Sequence, residues 1–172
     1  MLKVVKTAQT KENNTITLYE TTNENFDKTI LLVGVFHGEE PQGNYLIKEY
    51  LKTDLSKIKN KLVILPCLNP DGMAKNQRQN SNGIDLNRSF PTKNWRTTTR
   101  KEYFGGNEPA TEVETKFMIE VLDNYKLKLD GCTVIGVDSS YSYDEENGVT
   151  NEGEVTSPSE PVSSMFPLPS IT

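Results

Sequence analysis

Apolar and polar positions follow a simple order along the chain. "LKVVK" (2–6) and "TITLY" (15–19) set β-favouring residues on either side of the polar "TKENN", which predicts an antiparallel pair joined by a turn. "TILLVGVF" (29–36) is an unbroken apolar run, as expected of a strand covered on both faces. In the next stretch Leu46, Ile47, Tyr50, Leu51, Leu55 and Ile58 recur at helical spacing and predict one buried stripe. "KLVILPCL" (61–68) is a second buried strand, so strand, helix and strand imply parallel pairing with a right-handed crossover. Residues 69–110 form a long polar stretch, and a loop of that length inside a compact domain is usually functional. "TEVE" (111–114) reads as a capping box, with Thr111 as N-cap and Glu114 at N3. Val113, Phe117, Met118, Val121, Leu122 and Tyr125 would then form the apolar face of a helix, and "CTVIGV" (132–137) a third buried strand. The predicted class is α/β, a mixed central sheet flanked by helices.

Charge and composition change this picture at one place. The chain has 172 residues, enough for one domain with a real core. Residues 137–172 carry seven acidic residues and no Lys or Arg, so all 19 basic residues lie in 1–136, against 17 acidic ones. The final stretch also holds four of the nine prolines, many serines and no periodicity. Such a segment cannot repay its ordering entropy. The expected organisation is a domain over 1–137 and an acidic Pro/Ser-rich tail over 138–172. The net charge of −5 argues against non-specific nucleic-acid binding. No apolar run approaches the ~20 residues needed to span a bilayer. The first residues lack the apolar core of a signal peptide, so the expected setting is cytosolic. Cys67 and Cys132 lie in apolar runs without metal-type spacing and read as buried free thiols, although a disulfide stays open.

Candidate chemistry gathers at two motifs. His37, the only histidine, and Glu40 follow directly on a buried strand, and ligands of open α/β sheets bind at the carboxyl ends of strands. An imidazole and a carboxylate at i, i+3 can meet one cation if the chain turns there, and zinc accepts both donors. Gly38 would relieve crowding at that turn. The same pair also suits a plain surface or capping role. "RQNSNGIDLNRSFP" (78–91) brings Arg78, Asp85, Asn87 and Arg88 into one loop. Guanidinium groups grip carboxylates in bidentate fashion, and an arginine can steady the oxyanion formed when water attacks an amide. Asp85 could accept the second N–H of His37 and fix its tautomer. A solvated loop with its charges in water is the other reading.

The ordered motifs "HGEE", "LNPDGM", "RQNSNGIDLNRSFP" and "NEPATEVET" resemble the M14 zinc carboxypeptidases, and among them the murein peptide amidase branch, which trims γ-D-glutamyl-diaminopimelate peptides. The likeness runs over roughly residues 30–130. It implies an α/β fold with a mixed sheet and one zinc ion held by His37 and Glu40. It further implies Arg78 on the scissile carbonyl, Asn87 and Arg88 on the substrate's terminal carboxylate, and Asp85 bracing His37. The implied partner is a peptide with a free carboxylate.

The pattern breaks after the helix that "TEVET" opens. The family has a second histidine ligand on the following strand; here Val137 or Asp138 fills that slot, and no histidine follows His37. The family's late catalytic glutamate has no counterpart either, since Glu145, Glu146, Glu152, Glu154 and Glu160 lack a matching context. The third ligand and the general base are thus not found, and the chain reads as an incomplete copy of the domain. Without the base, amide attack loses a factor of about 10²–10⁴. Two other functions use the same residues. One is an N-acyl-amino-acid deacylase of the aspartoacylase and succinylglutamate desuccinylase type, which shares the His-x-x-Glu pair and the Asn-Arg dipeptide. The other is a non-catalytic module that binds a peptide carboxylate.

Overall fold

The computed structural model describes residues 2–127, 142–144 and 148–150. β1 (Leu2–Gln9) and β2 (Thr15–Thr21) form the expected antiparallel hairpin, with a register shift between Val4 and Lys6. Its turn closes through Thr10 N–H to the Asn14 carbonyl, and Asn13 takes the left-handed conformation that asparagine tolerates. β3 (Thr29–Val33) runs parallel to β4 (Lys61–Leu65), and β4 pairs antiparallel with β2 through Tyr19 and Glu20. The order β1-β2-β4-β3 gives the expected mixed sheet. β5 (Ser142–Asp144) and β6 (Gly148–Thr150) form a second, two-stranded antiparallel sheet. The strand expected over 132–137, Cys132 and the boundary near residue 138 lie outside the described residues.

β4 explains why the core has two sides. Successive strand residues point to opposite faces. Val63 and Leu65 therefore join Ile16, Leu18, Phe117, Met118 and Val121 under α3 (Val113–Asn124). Leu62 and Ile64 join Ile47 on the other face, under α1 (Gln42–Tyr50). All four β4 residues are at most 1 % exposed, as a strand covered on both faces requires. β3 differs from that expectation. All five of its residues are only half-buried, because among the described residues it is the sheet's edge.

Both long helices are corrected in detail. α1 ends at Tyr50, and Leu46 is 57 % exposed rather than part of the buried stripe. Ile47, Tyr50 and Leu51 pack on one face at i, i+3 and i+4, which leaves Leu46 about 100° away from Ile47. Leu55 sits in a separate 3₁₀ turn (Leu55–Lys57), capped by the Asp54 carboxylate accepting from Ser56 N–H. At α3 the capping box does not form. The N-cap is Glu112, the Thr111 hydroxyl donates to its carboxylate, and the Glu114 side chain turns inward to Asn80. Val113 is partly exposed instead of facing the core, while Phe117, Met118 and Val121 are buried as expected.

The polar stretch 69–110 is structured by hydrogen bonds together with a few apolar anchors: Leu86 is buried in the core under α3, Phe90 packs against that core, and Ile84 is buried as well. It contains α2 (Pro70–Lys75) and two 3₁₀ turns, Leu86–Arg88 and Lys101–Tyr103. Asn69 caps α2, its Oδ1 accepting from Gly72 N–H, while its Nδ2 donates to the Phe36 and Arg78 carbonyls. The fully buried Asp71 accepts from the Thr10 and Ser81 hydroxyls, Asn14 Nδ2 and Glu12 N–H. It ties the β1–β2 turn to the loop. Burial alone would raise the Asp71 pKa, but the Ser81, Thr10 and Asn14 donors outweigh it and hold it below the ordinary carboxylate value. A carboxyl with a depressed folded pKa contributes stability above its unfolded value of about 3.9, and that contribution disappears as pH falls through the folded value. Asp71→Asn is therefore expected to cost about 2 kcal/mol at pH 7 in urea unfolding. The gap to wild type should close below pH 4. A gap unchanged from pH 7 to 3 would contradict this assignment.

No helix among the described residues is long and apolar enough to cross a membrane.

Candidate metal and carboxylate site

β3 stops at Val33, and the chain turns through Gly34–His37 at the strand's carboxyl end. Gly34 N–H bonds the Leu65 carbonyl, and Leu68 and Asn69 N–H bond the carbonyls of Gly34 and Val35. Val35 is held at φ 53°, a left-handed conformation that is strained for a β-branched residue. Glu40 N–H closes back on the His37 carbonyl, so residues 37–40 make the turn that the i, i+3 pair needs. Gly38 serves that turn differently from the expected local relief. A Cβ there would lie 2.0 Å from the backbone carbon of Gly72, because the turn and α2 meet backbone to backbone.

His37 is 1 % exposed and is held from both ring nitrogens. Nε2 lies 3.0 Å from Asp85 Oδ1 and Nδ1 lies 3.3 Å from Glu40 Oε2. Burial lowers the imidazole pKa, but the Asp85 hydrogen bond and charge outweigh it, and the net shift is upward. With Asp85 ionised, Nε2 carries the proton, and Nδ1 then presents a lone pair to a carboxylate oxygen. Two acceptors at 3.3 Å repel unless a second proton or a cation lies between them.

Asp85 is the hub of the site. It is fully buried and caps the Leu86–Arg88 turn, its Oδ1 accepting from Asn87 N–H. Its Oδ2 accepts from Arg78 Nε at 3.0 Å, and its own N–H bonds the Phe104 carbonyl. Burial would raise the Asp85 pKa; His37, then Arg78 and Arg88, pull it below the ordinary value. Arg78 Nη1 lies 3.7 Å from Glu39 Oε1. The guanidinium carbons of Arg78 and Arg88 lie 5.4 and 5.7 Å from the centroid of the Tyr103 ring. Arg88 and Asn87 share the turn that Asp85 caps, and Asn87 joins the cluster through its backbone. A hollow of about 660 Å³ opens beside Arg78, walled by Glu39, Lys75, Gln79, Glu102 and Tyr103; His37 and Glu40 do not line it.

His37, Glu40, Asp85 and Arg78 thus form one contiguous cluster, with Arg88 joined to Arg78 through Tyr103. Among the described residues no three His, Cys, Asp or Glu side chains are grouped to hold a metal ion, and the slot at 137–138 lies outside them. Sequence inspection passed over the buried support of this cluster. Asn80 Oδ1 accepts from Asn82 and Ile84 N–H, while its Nδ2 donates to Glu112 and Glu114. Ser89 Oγ is hydrogen-bonded to Thr115 Oγ1, which fixes the Arg88 turn to α3. Only the Asn69-Pro70 pair carried a local signal, a cap followed by proline at the first helical position. Cys67 is a free thiol, pushed up to about 12 by burial, and takes no part.

The family model for zinc carboxypeptidases matches residues 1–157. Murein peptide amidase A of Escherichia coli K12 is 30% identical over 105 residues, covering 54% of this chain and 43% of that protein. The human carboxypeptidase N catalytic chain is 28% identical over 157 residues, covering 72% of this chain and 34% of its own length. The chain thus spans less than half of the curated relatives it matches. In fold it is similar to murein-tripeptide amidase from Escherichia coli O157, with TM-score 0.56 at 21% identity over 69% of this chain and 54% of that one. Carboxypeptidase A from Helicoverpa armigera gives TM-score 0.57 at 20% identity, over 72% and 38% of the two chains.

Proposed function

The chain belongs to the zinc carboxypeptidase family, and from that premise we propose that it carries part of a zinc-dependent site that hydrolyses peptides bearing a free carboxylate, with cell-wall peptides as the substrate class. The observation that supports this most is the His37 ring, turned by Asp85 so that Nδ1 faces Glu40 Oε2 at 3.3 Å. One imidazole nitrogen and one carboxylate oxygen facing each other suit a single zinc ion, so the residues present fit as two of its ligands. When bound, that ion supplies Lewis-acid activation of water and carbonyl.

The chain's own residues account for orientation and charge. Asp85 holds the proton of His37 at Nε2 and keeps Nδ1 available as a donor to the metal. Asn87 and Arg88 bind the terminal carboxylate of the peptide. Arg78, fixed through Nε by Asp85, offers its Nη side to the oxyanion that develops at the scissile carbonyl. The murein substrate class is supported by the 30% identity with murein peptide amidase A.

Zinc titration of the purified chain is expected to show one ion bound, and His37→Ala or Glu40→Ala to abolish that binding. A variant that retains wild-type zinc affinity would remove these ligands from consideration. Substrate class is tested by incubating the zinc-loaded chain with a muropeptide containing γ-D-glutamyl-diaminopimelate and, separately, with N-acetyl and N-succinyl amino acids. The muropeptide is the expected substrate, with diaminopimelate released at a rate lowered by the factor of about 10²–10⁴ that a missing general base costs. Cleavage of the N-acyl amino acids alone would point to a deacylase instead.

A further inference from the structure

We infer that Tyr103 is a positioning residue that holds the guanidinium groups of Arg78 and Arg88 for one carboxylate-bearing ligand; the inference rests on the carboxylate site proposed above. Both cations lie within cation–π reach of this single ring, at 5.4 and 5.7 Å from its centroid. Arginine side chains are long, and two guanidinium groups brought toward one ligand repel each other. A shared aromatic ring attracts both and narrows their rotamers before the ligand arrives, which reduces the ordering that binding must impose.

The ring is placed by backbone, not by packing. Tyr103 is 39 % exposed, so the core does not demand an aromatic residue there. Its 3₁₀ turn is stitched on one side to the residue next to Arg78. Gln79 Nε2 donates to the Lys101 and Glu102 carbonyls, at 3.1 and 3.0 Å. On the other side the following residues lock to the Arg88 turn. Asp85 N–H bonds the Phe104 carbonyl at 2.8 Å, and Gly105 lies so close to Arg88 that a Cβ there would be 2.1 Å from its carbonyl oxygen. Tyr103 therefore sits at the junction of the two segments that supply the arginines. It also lines the hollow beside Arg78, where a peptide would approach.

The test is isothermal titration of the zinc-loaded chain with acetyl-Ala-Ala-Ala and with its C-terminal amide. The ratio of the two dissociation constants reads carboxylate recognition apart from general binding. Wild type should favour the carboxylate by about tenfold or more. Tyr103→Leu and Tyr103→Gln should lose most of that preference, by a factor of about three to ten. Tyr103→Phe, which keeps the ring face, should restore it. A merely structural role would weaken both ligands alike and leave the ratio where it was. If wild type discriminates and the Leu and Gln variants discriminate equally well, the role of Tyr103 is overturned while the carboxylate site stands. If wild type itself shows no preference, the carboxylate site falls, and the Tyr103 inference with it.

Discussion

Asp85→Ala is expected to lower the stability of the folded chain by about 3–5 kcal/mol, the range for removing one partner of a buried ion pair. The reason is the number of donors left behind. His37 Nε2, Arg78 Nε and Asn87 N–H all point at this fully buried carboxylate. His37 is 1 % exposed, so its Nε2 is left without a partner, and an unsatisfied buried donor is costly in a low-dielectric setting. Asp85→Asn keeps the shape and one acceptor oxygen, so its loss should be smaller, but its amide N–H₂ then faces a donor. The same substitutions should weaken zinc binding by about 10–100-fold, because the ring of a metal-binding histidine is oriented by the partner of its other nitrogen. Urea unfolding with an unchanged m-value measures the first effect, and zinc titration of the folded variants the second. A stability loss below about 1 kcal/mol for Asp85→Ala would mean that the cluster is solvated and the hub is misassigned.

Gly38→Ala is the second large effect, at about 3 kcal/mol or more. An added methyl group would stand 2.0 Å from the Gly72 carbonyl carbon, and 2.3 Å from both the Gly72 oxygen and Met73 N. These are backbone atoms of α2, so no side-chain rotation relieves the overlap. Either the His37 turn or α2 has to move. Movement of the turn would pull His37 away from Asp85, so zinc affinity should fall together with stability. Gly83→Ala is the matched control. Nothing lies within 4 Å of its Cβ position, and only its positive φ of 73° opposes the substitution, at about 1 kcal/mol. If the two variants unfold at the same urea concentration, the close approach of residues 38 and 72 does not exist in solution.

The elements that apolar burial builds were legible in the sequence. The hairpin announces itself by its two β-favouring segments about a polar turn, β3 and β4 by unbroken apolar runs, and the Phe117–Met118–Val121 face of α3 by a period of three to four residues. Legibility failed where polar groups override that code. Leu46 has the spacing of a core residue and lies in water, because the stripe that meets β4 is centred on Ile47. Thr111 and Glu114 have the spacing of a capping box, yet Glu114 is drawn inward by Asn80, 34 positions earlier. The stretch 69–110 is polar in composition, yet it holds Asn69, Asp71, Asn80 and Asp85, each at most 3 % exposed. A residue's polarity does not reveal whether its hydrogen-bond partner will be water or a distant side chain.

The amino-acid order alone determined the hairpin, the parallel β3–β4 pair and the identity of the six residues offered for chemistry: His37, Glu40, Arg78, Asp85, Asn87 and Arg88. It could do so because periodicity and short motifs are local, and local patterns survive without coordinates. Only the tertiary structure decided that Nδ1 of His37 faces Glu40 while Nε2 faces Asp85, and that Tyr103 lies against both arginines. Those facts depend on backbone approaches between segments tens of residues apart, such as Gly38 on Gly72 and Gly105 on Arg88. Distances of that kind are fixed by how the layers pack, and no spacing along the chain encodes them.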